Sequence, residues 1–147
     1  MLTFIPQVTL VLAAALAVIN IWLSIRVGQV RRSEKVSVGD GGNERVIRRM
    51  RAHLNFAENA WIVLALVFAI ELAQGSSVLL WVAAALFVIG RVLHGLGMDG
   101  WGAGRGAGTA ITMVLQLVLA GWAIGVVIAA DRTRQVEPTV EVVTSQG

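Results

Sequence analysis

The sequence predicts an all-α integral membrane protein built as a bundle of four transmembrane helices. The chain has 147 residues, 56% of them hydrophobic and only 14% charged, with a mean hydropathy of +0.76. Soluble domains average about 45–50% apolar and about 25% charged residues. A chain of this length, which allows one domain, cannot bury such an excess in its own core. Four long apolar segments, separated by polar ones, are therefore expected to face lipid.

The first and last apolar segments are each long enough to cross a bilayer. They run over about residues 4–25 and 110–130, and a transmembrane helix needs about 20 predominantly apolar residues. The first segment has neither the basic start nor the small-residue cleavage site of a signal peptide. Both segments therefore predict membrane-spanning helices.

The two middle segments are shorter, at residues 60–73 and 78–89. A spanning helix needs about 17–25 residues, so these two cross only if they include polar neighbours. The second helix would take in part of "RAHLNFAEN" (51–59), and the third would take in part of "GRVLHGLGM" (90–98), with "QGSS" (74–77) as the turn between them. Ionisable side chains at membrane depth normally face the bundle interior or a wet cavity.

The distribution of basic residues predicts the orientation. The connection after the first helix carries seven of them: Arg26, Arg31, Arg32, Lys35, Arg45, Arg48 and Arg49. By the positive-inside rule this loop 1 is cytoplasmic, as is loop 3, "DGWGAGRGAG" (99–108), while both termini lie on the opposite side. Within loop 1, "GDGG" (39–42) predicts a turn, and Asn43 after it predicts a helix N-cap. Residues 1–131 form the predicted membrane domain, and residues 132–147 a flexible C-terminal tail.

Composition also excludes several kinds of chemistry. The chain has no cysteine, so disulfides, thiolate metal sites and a protein thiol nucleophile are excluded, and any thiol must come with a ligand. There is no H-E-x-x-H or similar spacing, so no metal site is expected. Basic and aromatic residues are not interleaved, so no nucleic-acid partner is expected.

Polar residues collect on one face of each middle helix. The second helix carries Arg48, Arg51, Asn55, Glu58 and Ile62 at helical spacing, and the third carries Arg91, His94 and Met98. With Arg31 and Arg105 expected at the same depth, four arginines (31, 51, 91 and 105) face one glutamate. Guanidinium groups bind carboxylates with two parallel hydrogen bonds. The surplus therefore predicts an anionic guest, with Glu58 taking its ammonium group or orienting an arginine.

Structural interpretations stay open for several of these side chains. An ion pair of Glu58 with Arg51 or Arg91 would hold helices together. Other interpretations are headgroup anchoring by Arg48 and Arg49, helix-end hydrogen bonding by His94, a structural role for His53, which lies off the polar face, and interhelical hydrogen bonds from Asn20 and Gln116.

The stretch "ERVIRRMRAHLNFAEN" (44–59) resembles the signature of the MAPEG family, the membrane-associated proteins in eicosanoid and glutathione metabolism. "GQVRR" after the first helix, "GRVLHGLG" on the third and an arginine after it, Arg105, are also similar to that family. "VGDGG" resembles its small bacterial inner-membrane branch. The resemblance covers about residues 4–130.

The resemblance implies a homotrimer that binds glutathione, as a co-substrate, between neighbouring subunits on the cytoplasmic side. The implied glutathione-binding residues are Arg31, Arg51, His53, Asn55, Glu58, Arg91 and His94. Arg105, which we expect in a flexible connection near the cytoplasmic mouth, is the candidate catalytic cation beside the glutathione sulfur. The implied activity is a glutathione transferase or peroxidase acting on a lipophilic small molecule that arrives through the membrane lipid.

Two departures from the family pattern bear on the activity. "ENAW" lacks a proline that many members carry after "EN", and Met98 stands where several catalytic members have a tyrosine. The alternative is therefore a non-catalytic protein that binds glutathione or an anionic lipid. A small multidrug transporter is disfavoured because the first helix has no membrane-embedded glutamate, and a purely structural membrane subunit is the remaining interpretation.

Overall fold

Four helices make up the described part of the chain. The structure, a computed structural model, describes residues 4–136. These form α1 (Gln7–Ser33), α2 (Glu44–Gln74), α3 (Val78–Gly97) and α4 (Gly102–Val136), and no strand occurs among them. All four helices are long and apolar enough to cross a membrane. The predicted all-α membrane bundle is confirmed.

The helices alternate in direction, so the bundle has two ends. One end, which we call the turn end, holds the start of α1 and the turn 75–77; the other, the loop end, holds loops 34–43 and 98–101. The most extensive contacts join α3 to α4 and α1 to α2, and α1 and α4 do not touch within the described residues. Both α2 and α3 therefore pack against the other three helices, so polar side chains on these two helices can be buried in the bundle.

The middle helices take in the polar stretches, as their short apolar segments required. α2 begins at Glu44, and Asn43 caps it by accepting hydrogen bonds from the backbone N–H of Arg45 (2.9 Å) and Val46 (3.3 Å). The predicted N-cap is confirmed. Loop 1 is shorter than expected, because Arg26, Arg31 and Arg32 belong to α1 and the arginines from 45 onward to α2.

The glycine-rich stretch after α3 is helical, which corrects the expectation of a long connection. α4 begins at Gly102 and not near residue 110, so only residues 98–101 remain as a loop. Glycines allow this start because α3 and α4 touch through their backbones. A Cβ atom on Gly97 would lie 2.1 Å from the Arg105 nitrogen, and one on Gly108 would lie 2.4 Å from the Gly90 oxygen.

At its other end, α4 continues through Val136. Residues 132–136 of the predicted tail are thus helical, and residues 137–147 lie outside the described part of the chain.

Glu71 joins the start of α1 to the turn 75–77. The residue is 0% exposed. Its carboxylate accepts hydrogen bonds from the Val8 backbone N–H (2.8 Å), from the backbone N–H and hydroxyl of Thr9 (2.8 and 2.6 Å) and from the Ser76 hydroxyl (2.6 Å). The first N–H groups of a helix have no partner within it, so Glu71 of α2 caps α1 across the bundle.

The interior is a narrow apolar column, and the outer faces are also apolar. Leu12, Val63, Phe87 and Leu119 are buried in it, one from each helix. Many large apolar side chains on the same helices, such as Leu117 of α4, stay exposed. The apolar surplus of the sequence therefore faces outward, as predicted.

Helix geometry fixes the depth of the polar residues. Glu58 lies 16 residues before Gln74, the last residue of α2, and His94 lies 16 residues after Val78, the first of α3. At 1.5 Å per residue, both lie about 24 Å from the turn end. The hydrocarbon core of a bilayer is about 30 Å thick. Helices that enter the hydrocarbon core at the turn end would hold both residues within its thickness, close to the loop end.

Candidate functional site

The predicted polar faces of α2 and α3 meet in a cleft near the loop end. It has a volume of about 310 Å³ and is lined by Arg51, Leu54, Asn55, Glu58, His94 and Met98. We call it the Arg51 cleft. Helical spacing brings three polar residues of α2 to one side, and His94 of α3 with Met98, which directly follows α3, forms the other. Four of the predicted site residues are thus together: Arg51, Asn55, Glu58 and His94.

Arg51 and Glu58 line the cleft without pairing. Neither is within 4 Å of an opposite charge among the described residues, and both are exposed in the single chain. The ion pair of Glu58 with Arg51 or Arg91, which the sequence left open, does not form. The cleft therefore presents a cationic and an anionic group that are both available to a guest.

Arg91 lies behind the cleft and orients one of its walls. It is 1% exposed. Its guanidinium donates to the Asn55 side-chain oxygen (2.9 Å) and to the Thr112 hydroxyl (3.2 Å), and Thr112 in turn donates to the Gly108 carbonyl (2.8 Å). Because Asn55 lines the cleft, this network fixes its amide and leaves the amide nitrogen as the group that a guest can accept from.

His94 supplies a buried nitrogen with no protein partner. The residue is 5% exposed, and its Nδ1 atom makes no hydrogen bond among the described residues. Buried polar atoms are almost always hydrogen-bonded. An unpaired one in the wall of a cleft indicates a place for a ligand or a water molecule. Helix-end capping is not what this side chain does.

Arg105 opens onto a second, adjoining cleft. This Arg105 cleft has a volume of about 230 Å³ and is lined by Arg48, Gly97, Met98, Gly100, Gly102 and Arg105. Met98 lines both clefts. Arg105 lies in the first turn of α4, so the expectation that it sits in a flexible connection is wrong. The close contact of Gly97 with the Arg105 backbone fixes the position of the backbone from which the Arg105 side chain extends.

Two predicted site residues lie away from both clefts in the single chain. Arg31 donates to the sulfur of Met50 (3.4 Å) and lines an open groove at the end of α1. The His53 ring is hydrogen-bonded to the Asn20 side-chain oxygen (2.8 Å). The expected interhelical role of Asn20 is confirmed, and Gln116 likewise donates to the side chain of Asn59 (2.8 Å).

Five arginines near the loop end have no acidic partner among the described residues, and four of them are those that the sequence singled out. In the described part of the chain, Arg26 and Arg49 pair with Asp99, Arg45 with Glu34 and Arg48 with Glu44. In the same part of the chain, no acid pairs with Arg32 or with the four predicted arginines, Arg31, Arg51, Arg91 and Arg105. The predicted cationic surplus is therefore present.

Asp99 is the residue that the sequence interpretation missed. Its carboxylate accepts from Arg26 and from Arg49 (3.1 and 3.2 Å), while Arg26 also donates to the Gly95 carbonyl (2.8 Å) and stacks over the Trp22 ring at 4.7 Å. The α3–α4 loop is thereby tied to α1 and α2. The sequence signal for Asp99 was a lone acid directly after the polar face of α3.

Among the described residues, no group of three or more His, Cys, Asp or Glu side chains could hold a metal.

Comparisons with known proteins bear on the family. No curated protein matches the chain. The family model of the MAPEG family matches residues 9–125, which include all of α2 and α3, most of α1 and α4, and every residue of both clefts. This match covers most of the 147 residues. The chain belongs to the MAPEG family.

Proposed function

We propose that the protein is a glutathione-dependent membrane transferase that joins the glutathione thiolate to a lipophilic electrophile. The observation that carries the proposal is the Arg51 cleft, where an arginine and a glutamate face one space without pairing. Glutathione carries two carboxylates and one ammonium group. A carboxylate on Arg51 and the neighbouring ammonium on Glu58 would satisfy both protein charges at once.

Activation of the thiol falls to Arg105. The two clefts share Met98, so a guest held by Arg51 and Glu58 extends past Met98 toward the guanidinium of Arg105. A cation beside a thiol favours the thiolate and lowers the pKa of the thiol. The S–H proton leaves to water, the thiolate attacks an electrophilic carbon to form a C–S bond, and the leaving group departs with the electron pair. A lipid hydroperoxide is the other electrophile class that such a thiolate attacks.

The assembly that fits these residues is a homotrimer with sites between subunits. Glu58 lies at membrane depth and is exposed in the single chain, which is costly in lipid. A neighbouring copy would cover it. Arg31 and His53 lie elsewhere on the surface of their own chain, so we assign them to the site of the neighbour.

The proposed location is a bacterial inner membrane with the loop end in the cytoplasm. The basic residues around loop 34–43 favour this orientation by the positive-inside rule. Glutathione would then reach the clefts from the cytoplasm, and the electrophile from the membrane lipid.

A second candidate function is binding of glutathione or an anionic lipid without turnover. Met98 favours it, because a thioether cannot donate the hydrogen bond that a tyrosine would give to the sulfur. The two functions differ in whether bound glutathione is consumed.

The first test is glutathione binding to detergent-solubilised protein, measured by calorimetry. We expect binding by wild type and its loss in Arg51→Ala and Glu58→Ala. Arg45→Ala is the matched control, since Arg45 is on the same helix and is occupied by Glu34 at 2.6 Å. Wild type that binds no glutathione would refute the transferase and would leave only an anionic lipid as the ligand of the second candidate. Conjugation of an aryl halide then separates the two candidate functions: an enzyme forms the thioether, and a binding protein does not.

Loss of conjugation in Arg105→Ala with glutathione binding retained would support the role of Arg105, and unchanged turnover would refute it.

A further inference from the structure

The Arg105 cleft contains a second guanidinium for which the proposed mechanism has no use. Arg48 lines it together with Arg105, and no acid is part of the lining. Arg48 donates from Nε to the Glu44 carboxylate at 2.8 Å, one helical turn earlier. No hydrogen bond involves the two terminal nitrogens of Arg48 within residues 4–136. The pair with Glu44 thus holds the side chain at its Nε edge and leaves its outer donors unused.

The charges of glutathione leave one group without a partner in the Arg51 cleft. The γ-glutamyl end has a carboxylate and an ammonium group, which match Arg51 and Glu58. The glycyl end has a second carboxylate, on the far side of the cysteine. A carboxylate excluded from water needs a cation or several donors. The Arg51 cleft holds no further arginine of the same chain, whereas the adjoining Arg105 cleft holds two.

Met98 links the two clefts and sets the order of the contacts. A tripeptide that starts on Arg51 and Glu58 and passes Met98 places its central cysteine at the boundary and its glycine in the Arg105 cleft. Two anionic groups then approach the second cleft, the thiolate and the glycyl carboxylate. Two guanidinium groups are there to receive them.

We propose that Arg48 binds the glycyl carboxylate of glutathione and thereby leaves Arg105 free for the sulfur. This inference rests on the proposed function. It makes Arg48 a specificity-determining residue that selects the whole tripeptide over ligands without the glycyl carboxylate. Without Arg48, the carboxylate competes for Arg105, and the thiolate loses its cation.

The test compares glutathione with its glycyl monoethyl ester, in which an uncharged ethyl ester replaces that carboxylate. In wild type, esterification should weaken binding by about tenfold or more, the effect of one lost charge-assisted contact. In Arg48→Ala, both ligands should bind with the affinity that wild type has for the ester. Arg45→Ala, the control, should keep the wild-type preference. Arg48→Gln serves in place of Arg48→Ala if the latter does not fold.

Two outcomes would overturn the inference while the proposed function stands. One is wild type that binds glutathione and its ester equally; the other is an Arg48 variant that still prefers glutathione. Absence of any glutathione binding by wild type would instead refute the proposed function. A second readout is the ultraviolet absorbance of bound thiolate, which should fall in Arg48→Ala at saturating glutathione. A purely structural role of Arg48 would not change it.

Discussion

Replacement of Glu71 by glutamine tests whether a side chain of α2 holds the start of α1. The carboxylate accepts four hydrogen bonds, two on each oxygen: Val8 and Ser76 on Oε1, and the backbone and side chain of Thr9 on Oε2. Glutamine has the same shape but keeps only one acceptor oxygen. Its NH₂ group would face two donors that it cannot serve.

The expected loss of stability follows from these contacts. A hydrogen bond to a charged group contributes about 1.5–3 kcal/mol. Two such bonds are lost, and the substitution also removes the cost of burying a charge. We therefore expect the free energy of unfolding to fall by about 3 kcal/mol, at the lower end of the sum for two bonds.

The assay is unfolding in detergent micelles by increasing sodium dodecyl sulfate, followed by circular dichroism. Glu44→Gln is the matched control on the same helix. Glu44 is exposed and makes one surface ion pair with Arg48, so its loss should cost only about 0.5 kcal/mol. Equal midpoints for Glu71→Gln and wild type would refute the role of Glu71 as a cap.

Three further substitutions test the site. Gly97→Ala should lower both stability and turnover, because its Cβ would meet the Arg105 backbone. Gly121→Ala, the control, has nothing within 4 Å of its Cβ and should leave both unchanged. Equal behaviour of the two variants in thermal unfolding and conjugation would contradict the close contact. Asp99→Asn weakens the ion pairs that hold the α3–α4 loop to Arg26 and Arg49, so glutathione affinity should fall by about tenfold. Asp99→Glu should restore the affinity. Wild-type affinity of Asp99→Asn in calorimetry would refute this role of Asp99. Asn55→Ala leaves a buried guanidinium donor of Arg91 unpaired and should lower both the thermal midpoint and the glutathione affinity. A change in only the midpoint or only the affinity would separate the structural role of Asn55 from its binding role.

The sequence predicted the fold well because length and hydropathy constrain a membrane protein strongly. The apolar parts of the middle helices were too short to span, and this alone required their polar neighbours to enter the membrane. In the structure, Glu58 and His94 belong to α2 and α3, as this prediction required. The start of α4 was missed because glycine favours loops in general, while here Gly97 and Gly108 serve close helix contact.

The candidate site was predicted in part, and the missing parts have physical reasons. Helical spacing along one element brought Arg51, Asn55 and Glu58 to one face. Spacing does not say which arginine meets which acid, so the pairing of Asp99 with two arginines of other helices could not be foreseen. The use of Glu71 as a cap was equally hidden, since its partners are more than 60 residues away in sequence.

The capping of α1 by Glu71 has a consequence for biosynthesis. Val8 and Thr9 leave the ribosome long before Glu71, because 62 or 63 positions separate them. Until α2 has crossed the membrane in the opposite direction, the first N–H groups of α1 depend on water or lipid headgroups. The first helix therefore completes its hydrogen bonding only when the second has arrived at the same side. The final position of α1 thus depends on correct insertion of α2.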